Sequence, residues 1–229
     1  MRPSATQELQ LTIDSGRGSI PCTFYKPENP RGVVLLVHGL SVDRFHRTVT
    51  GPAKILTAEF RLAVLVPELP LHGERADVVT EWNEFTTIWQ NYWAGEGRDQ
   101  ILLEWNQIYA FATKFDLPIL YFGLSLGTQY GILFLSQQTN VKAAVLGLFG
   151  SEPPPGSIIM NHCAPLVRTP VYFIQKQNDE IHPEENTRHL YESLGSDEKV
   201  LDSTPGNHQG VSLESLNRSC KFIAGRVDA

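Results

Sequence analysis

Tyr121-Phe122-Gly123-Leu124-Ser125-Leu126-Gly127 decides how this chain folds. The residues just before it, 119–122, form an apolar strand-favouring run that breaks at once into Gly-x-Ser-x-Gly, and 128–136 suits a helix. Strand, very tight turn and helix in that order make a nucleophile elbow. The turn strains the serine backbone, so a Cβ at Gly123 or Gly127 is expected to collide with the adjoining strand or helix. The strain aims the Ser125 hydroxyl out of the fold, above a helix N-terminus whose dipole and free N–H groups favour a developing negative charge.

Outward from the elbow, continuous apolar runs recur at 32–37, 62–66, 118–122, 143–148 and 170–174. They read as strands buried on both faces of a parallel sheet. Helix-like segments lie between them, for example 51–60 and 98–115; the second sets Ile101, Leu102, Trp105, Ile108, Tyr109 and Ala112 on one face. Ahead of them, 7–13 and 19–25 alternate loosely around Asp14-Ser15-Gly16-Arg17-Gly18 and read as an antiparallel hairpin. Strands alternating with helices predict an α/β fold with a mostly parallel, doubly wound sheet, in one domain over 1–229. Trp82, Phe85 and Trp89 share a helical face and are expected to pack against the core.

The bulk composition narrows the function. Of 229 residues, 41% are hydrophobic and 19% charged, enough for a full-sized core. Twenty-five acids against nineteen bases give a net charge of −6 with no basic cluster, which excludes nucleic acid as the expected partner. No apolar run approaches the roughly 20 residues that span a bilayer. The polar N-terminus shows no secretory h-region. Cys22, Cys163 and Cys220 are scattered, with no CxxC pair, which points to a reducing, cytoplasmic setting without a metal knuckle. A homodimer is left open.

In open α/β sheets ligands bind beyond the carboxyl ends of the strands. The unusual polar stretches of this chain all fall there: His38-Gly39-Leu40-Ser41, Glu68 to Arg75, Ser125, Asn178-Asp179 and Gly206-Asn207-His208. A serine hydroxyl needs a neighbouring base, a histidine serves, and the histidine needs an acid to fix its tautomer. In this architecture the order is serine, acid, histidine. Asp179 follows Ser125 by 54 residues and His208 follows Asp179 by 29, with a helix at 184–194 fitting the second interval. The rivals are Glu180 and Asp202 for the acid, and His162, His182 and His189 for the base. His182, before Pro183, and His189, within a helix, are expected at the surface. His38 is expected to brace its loop, His72 to stabilise its own, and Arg44, His46 and Arg47 to be solvated charges. None of the histidines has metal-ligand spacing, so no metal is expected.

From about residue 32 to about 222 the chain resembles the α/β-hydrolase family, on His38-Gly39 after the first core strand, the elbow at 123–127, Asn178-Asp179 and Asn207-His208. It is most similar to the small dienelactone-hydrolase-like and peptidase-like esterases, through Pro70-Leu71-His72-Gly73-Glu74-Arg75, although dienelactone hydrolases proper use cysteine where Ser125 stands. The resemblance implies Ser125 as nucleophile, His208 as base, Asp179 as orienting acid, and the Leu40 and Leu126 N–H groups as the oxyanion hole. It also places 151–167, with Pro153-Pro154-Pro155, where a lid would lie; the segment is too short for a large cap, which leaves an open pocket with Ile158, Ile159 and Met160 as apolar lining. The expected activity is hydrolysis of small to medium carboxylic esters with no cofactor. A thioesterase, peptidase or cyclase on the same residues, and a non-catalytic binding protein of the same fold, are the alternatives. Dehalogenation is disfavoured, because it wants an aspartate at Ser125.

Overall fold

The computed structural model describes residues 6–76, 82–151 and 156–228, with backbone alone at 82, 83 and 156–159. The chain divides into two compact units, Met1–Leu117 and Pro118–Ala229.

The first unit holds strands β1 (Gln7–Asp14), β2 (Ser19–Lys26), β3 (Val33–Val37) and β4 (Ala63–Pro67), in the spatial order β1-β2-β4-β3. The expected hairpin is present: β1 and β2 run antiparallel, in register from Gln7↔Lys26 to Asp14↔Ser19. Its turn closes with the Ser15 N–H donating to the Gly18 carbonyl at 2.9 Å. β2 pairs antiparallel with β4, and β3 pairs parallel with β4. Every residue of β3 and β4 is buried, as their unbroken apolar runs require. Three helices accompany these strands: α1 (Arg47–Phe60), α2 (Trp82–Ala94) and α3 (Gly97–Thr113). α1 begins at Arg47 and not at 51, because the His46 ring caps it by accepting from the Thr48 N–H. It stops at Arg61, whose left-handed backbone (φ 53°) turns its N–H back to the Leu56 carbonyl. The apolar face predicted for α3 is inside: Ile101, Trp105, Ile108 and Ala112 are buried. Of the aromatic face predicted for α2, Trp89 is buried and Phe85 half-buried; the side chain of Trp82 lies outside the described residues.

The second unit holds β5 (Ile119–Gly123), β6 (Val141–Gly147), β7 (Val171–Lys176) and β8 (Lys199–Thr204), in the order β5-β6-β7-β8 with every pairing parallel. Its helices are α4 (Leu126–Leu135), α5 (Gly156–Cys163), α6 (Glu184–Ser193) and α7 (Leu213–Ala224). β5 and β7 are buried throughout, and β6 everywhere except Lys142. All ten residues of α4 are buried, a helix apolar on every side and therefore walled in. α5 falls in the segment read from sequence as a loop. α7, which the sequence reading passed over, starts at the Ser212 cap, whose hydroxyl accepts from the Ser215 N–H at 3.1 Å, and it buries Ser215, Ser219, Cys220, Ile223 and Ala224 on one face. The proline run 153–155 lies outside the described residues, as do the side chains at 158 and 159, while Met160 is fully buried. No helix among the described residues is long and apolar enough to cross a membrane.

Candidate active site

The elbow forms as its residues demand. Ser125 sits at φ 55° and ψ −119°, a region that costs a non-glycine residue roughly 1–3 kcal/mol. Glycine is obligatory at 123: a Cβ there would stand 2.6 Å from the Gly127 carbonyl oxygen and 2.8 Å from the Tyr121 hydroxyl. The strain is held by hydrogen bonds to neighbouring strands. The Ser125 N–H donates to the Gly147 carbonyl at 2.9 Å. Thr128, buried in the first turn of α4, accepts from the Gly147 N–H at 2.7 Å and donates to its carbonyl at 2.6 Å. Tyr121, wholly buried, donates to the Gly127 carbonyl at 2.6 Å. The ends of β5 and β6 and the start of α4 are thus tied together beneath the serine.

Three side chains from the carboxyl ends of β5, β7 and β8 meet here. Ser125 Oγ lies 2.9 Å from His208 Nε2, and His208 Nδ1 lies 2.8 Å from Asp179 Oδ2. The other oxygen of Asp179 accepts from the Ile181 and His182 N–H groups at 2.9 and 2.8 Å. Burial works to raise the Asp179 pKa, but the hydrogen bond to His208 and the two amides outweigh it and hold the carboxyl below its ordinary 3.8. Asp179 therefore stays charged at neutral pH and fixes the ring, leaving Nδ1 as donor and Nε2 facing the serine. The His208 N–H donates to Glu180 Oε2 at 3.0 Å, which pins the loop from behind. Leu126 is the first residue of α4, so its N–H is among those with no acceptor inside the helix. Leu40 belongs to the first unit, in the turn after β3.

The rivals are occupied elsewhere. Asp202 accepts from the Tyr172 hydroxyl at 2.9 Å and from Arg218 at 2.8 and 3.0 Å. Glu180 meets the backbone of His208, not its ring. His162 is exposed on α5, and His189, exposed on α6, meets the Ser151 hydroxyl at 2.9 Å. His182 is not the surface residue expected. It is half-buried, with its ring 4.6 Å from that of Phe149 and 5.8 Å from that of His208, and burial, with the nearby charge of His208, pushes it down to about 4. It is neutral at pH 7. Its non-local packing left no mark in the sequence.

In the first unit, the loops after β3 and β4 are locked to one another. Arg44, expected as a solvated charge, is buried, with guanidinium nitrogens 2.7 Å from Glu68 Oε2 and 2.8 Å from Glu74 Oε1. Arg75 donates to both carboxylate oxygens of Glu104, at 2.8 and 2.6 Å, and to the Glu68 carbonyl at 3.0 Å. His38 braces its loop as expected. Its Nδ1 faces the Gly39 carbonyl at 2.8 Å, and its Nε2 accepts from the Leu69 N–H at 3.1 Å. The same Nε2 lies 3.0 Å from Glu68 Oε1; as a bare nitrogen it accepts from Leu69, and as a protonated one it donates to the carboxylate instead. His72 also serves its loop, through the Pro70 carbonyl at 2.7 Å, and burial pushes it down to about 4. Phe85 and Trp89 of α2 pack on its ring, at 4.9 and 6.0 Å.

Glu68 carries this network. Burial raises its pKa, but the hydrogen bonds and charges of His38 and Arg44 prevail and lower it from 4.5. Its ionised form thus contributes stability that is fully present above about pH 4.5 and is lost as pH falls through the lower folded value. Glu68→Gln leaves the buried Arg44 short of a counter-charge and is expected to cost about 3 kcal/mol at pH 7. Urea midpoints across pH 2–7 check this: the wild type loses more stability than the variant on acidification, and parallel curves would remove Glu68 from the role.

No protein-family model matches this sequence, and no curated protein matches it. Solved structures do resemble it. A cold-adapted esterase from an Arctic intertidal metagenomic library, in a PEG-bound complex, superposes with a TM-score of 0.83 at 25% identity, over 99% of this chain and 96% of its own. Est1E from Butyrivibrio proteoclasticus, with ferulic acid bound, gives 0.74 at 16% identity, over 96% of this chain and 100% of its own. A dienelactone hydrolase from Anabaena variabilis gives 0.68 at 16% identity, over 96% of each chain.

Proposed function

We propose that this chain, which has the α/β-hydrolase fold, is a serine hydrolase of small to medium carboxylic esters, similar to the dienelactone-hydrolase-like enzymes. The observation that carries the proposal is the unbroken line Ser125 Oγ, His208 Nε2, His208 Nδ1, Asp179 Oδ2, with contacts of 2.9 and 2.8 Å. Ser125 attacks the ester carbonyl carbon while His208 Nε2 takes the hydroxyl proton. The charged Asp179 steadies the imidazolium that results, and the Leu126 N–H, at the start of α4, donates to the tetrahedral oxyanion. The Leu40 N–H is proposed as a second donor from the sequence resemblance. The C–O bond then breaks, and the alkoxide leaves with the proton returned by His208. Water, deprotonated by the same imidazole, attacks the acyl-serine; the acid departs and Ser125 regains its proton. The first and last proton transfers run between Ser125 and His208, which are already in hydrogen-bond reach.

The structural likeness to a cold-adapted esterase and to a ferulic-acid-binding protein supports an ester as substrate. A fluorophosphonate probe tests the proposal. Adduct mass at Ser125, absent from Ser125→Ala and slowed in His208→Ala, is expected; a folded protein that stays unlabelled is a binding module and not a hydrolase. A chain-length series of p-nitrophenyl esters beside acyl-thioesters then identifies the substrate. Short acyl esters are expected to turn over fastest, and activity confined to thioesters would reassign the class.

A further inference from the structure

Lys176, the last residue of β7, has a side chain as buried as the core, with 2% of the residue exposed. Among the described residues no carboxylate forms an ion pair with it. Its Nζ donates to Thr204 Oγ1 at 2.8 Å and to the Pro205 carbonyl at 3.1 Å. The charged group of nearest influence is Asp202 on β8, whose oxygens are taken by Tyr172 and Arg218. Burial accordingly lowers the lysine pKa, with Asp202 opposing. An ammonium buried without a counter-ion is unfavourable, and a methionine of similar length would suit the space better. A side chain kept against that gradient has another task.

Its place says which. Lys176 pairs with Thr204 across the β7–β8 ladder, at the point where the two strands stop pairing. Three residues on from Lys176 the chain places Asp179; four residues on from Thr204 it places His208. Two backbone bonds continue the seam: the Gln177 N–H donates to the Thr204 carbonyl and the Asn178 N–H to the Gly206 carbonyl, both at 3.1 Å. Gly206, at φ 122°, swings the chain past the lysine, and a Cβ there would lie 3.5 Å from Nζ. We propose that Lys176 is a positioning residue for the base: its buried ammonium fixes the 204–206 loop against β7 and so sets the distance at which His208 meets Asp179. This rests on the reading of His208 as the base.

Lys176→Met and Thr204→Val test it, by three measurements on the intact protein. The first is the far-downfield proton resonance of the Asp179–His208 hydrogen bond, which needs no substrate. The second is kcat and KM on a p-nitrophenyl ester. The third is Tm. Lys176→Met is expected to lose or broaden the resonance and to lower kcat by about 10- to 100-fold, with KM within about threefold and Tm unchanged or raised. Thr204→Val, which keeps the lysine and removes an acceptor, is expected to change the resonance and kcat in the same direction, less far. An unchanged resonance and kcat in Lys176→Met overturn the proposal. So does a Tm that falls steeply along with kcat, which is the mark of a plain structural strut. A wild type without the resonance overturns both this proposal and the reading beneath it. A wild type that has the resonance but turns over no ester overturns that reading alone.

Discussion

Ser125→Ala is expected to lower ester turnover by at least about 10⁴-fold while the protein stays folded. The substitution removes only Oγ, and with it the proposed nucleophile and the 2.9 Å contact to His208 Nε2. Alanine keeps the Cβ that the elbow already accommodates at φ 55°, so the backbone strain neither grows nor relaxes. One lost hydrogen bond at a half-buried site accounts for about 1 kcal/mol of stability, which a urea midpoint resolves from misfolding. In the proposed mechanism Ser125, His208 and Asp179 act on one proton, so their contributions are not expected to add. The double variant Ser125→Ala/His208→Ala is expected to fall no more than a few-fold below either single one. Losses that multiplied would mean that the two groups act in separate steps, and a loss under tenfold in Ser125→Ala would take the nucleophile's role from Ser125.

Gly147→Ala is expected to have the largest effect on stability, more than about 3 kcal/mol out of a total of roughly 5–15. Gly147 ends β6 at φ 142°, a conformation that residues with a side chain rarely adopt, and a Cβ there would overlap the Ile174 carbonyl oxygen on β7. Room can come only from moving β6 off β7, because the nearest atoms are backbone: the Ile174 nitrogen at 2.6 Å and its carbonyl carbon at 2.8 Å. The same residue anchors the Ser125 N–H and two of the three hydrogen bonds of the Thr128 hydroxyl. Activity should therefore drop further than the folded fraction does. Urea unfolding alongside fluorophosphonate labelling of the folded fraction checks both halves. A destabilisation under about 1 kcal/mol would show that β6 and β7 can separate there at little cost.

Much of this was readable in the sequence, for a physical reason. The elbow is local: strand, glycine, serine, glycine and helix lie within a few residues, and no distant contact is needed to see them. The parallel strands announced themselves because burial on both faces leaves no polar position in β3, β4, β5 or β7 until Gln175 and Lys176. Asp179 and His208 could be picked by chain order and by their place after strands. What escaped depends on partners far along the chain. Arg44 looks like any solvated arginine until Glu68 and Glu74, 24 and 30 residues away, close over it. His182 looks like a loop residue until Phe149 and His208 pack on its ring. Nothing near Lys176 in the sequence marks it as buried, because Thr204 and Pro205, which receive its ammonium, lie 28 and 29 residues away. Thr128 looked like one more helix residue, and only the path of β6 beside it turns its hydroxyl into a tie.

The helix that follows Ser125 has no face turned to water. It leaves no room for drift: a change in any of its ten residues must be answered by a neighbour in the core. New substrate preferences among descendants of this protein should therefore be written in the connecting segments beyond the strand ends, while α4 passes down almost unedited.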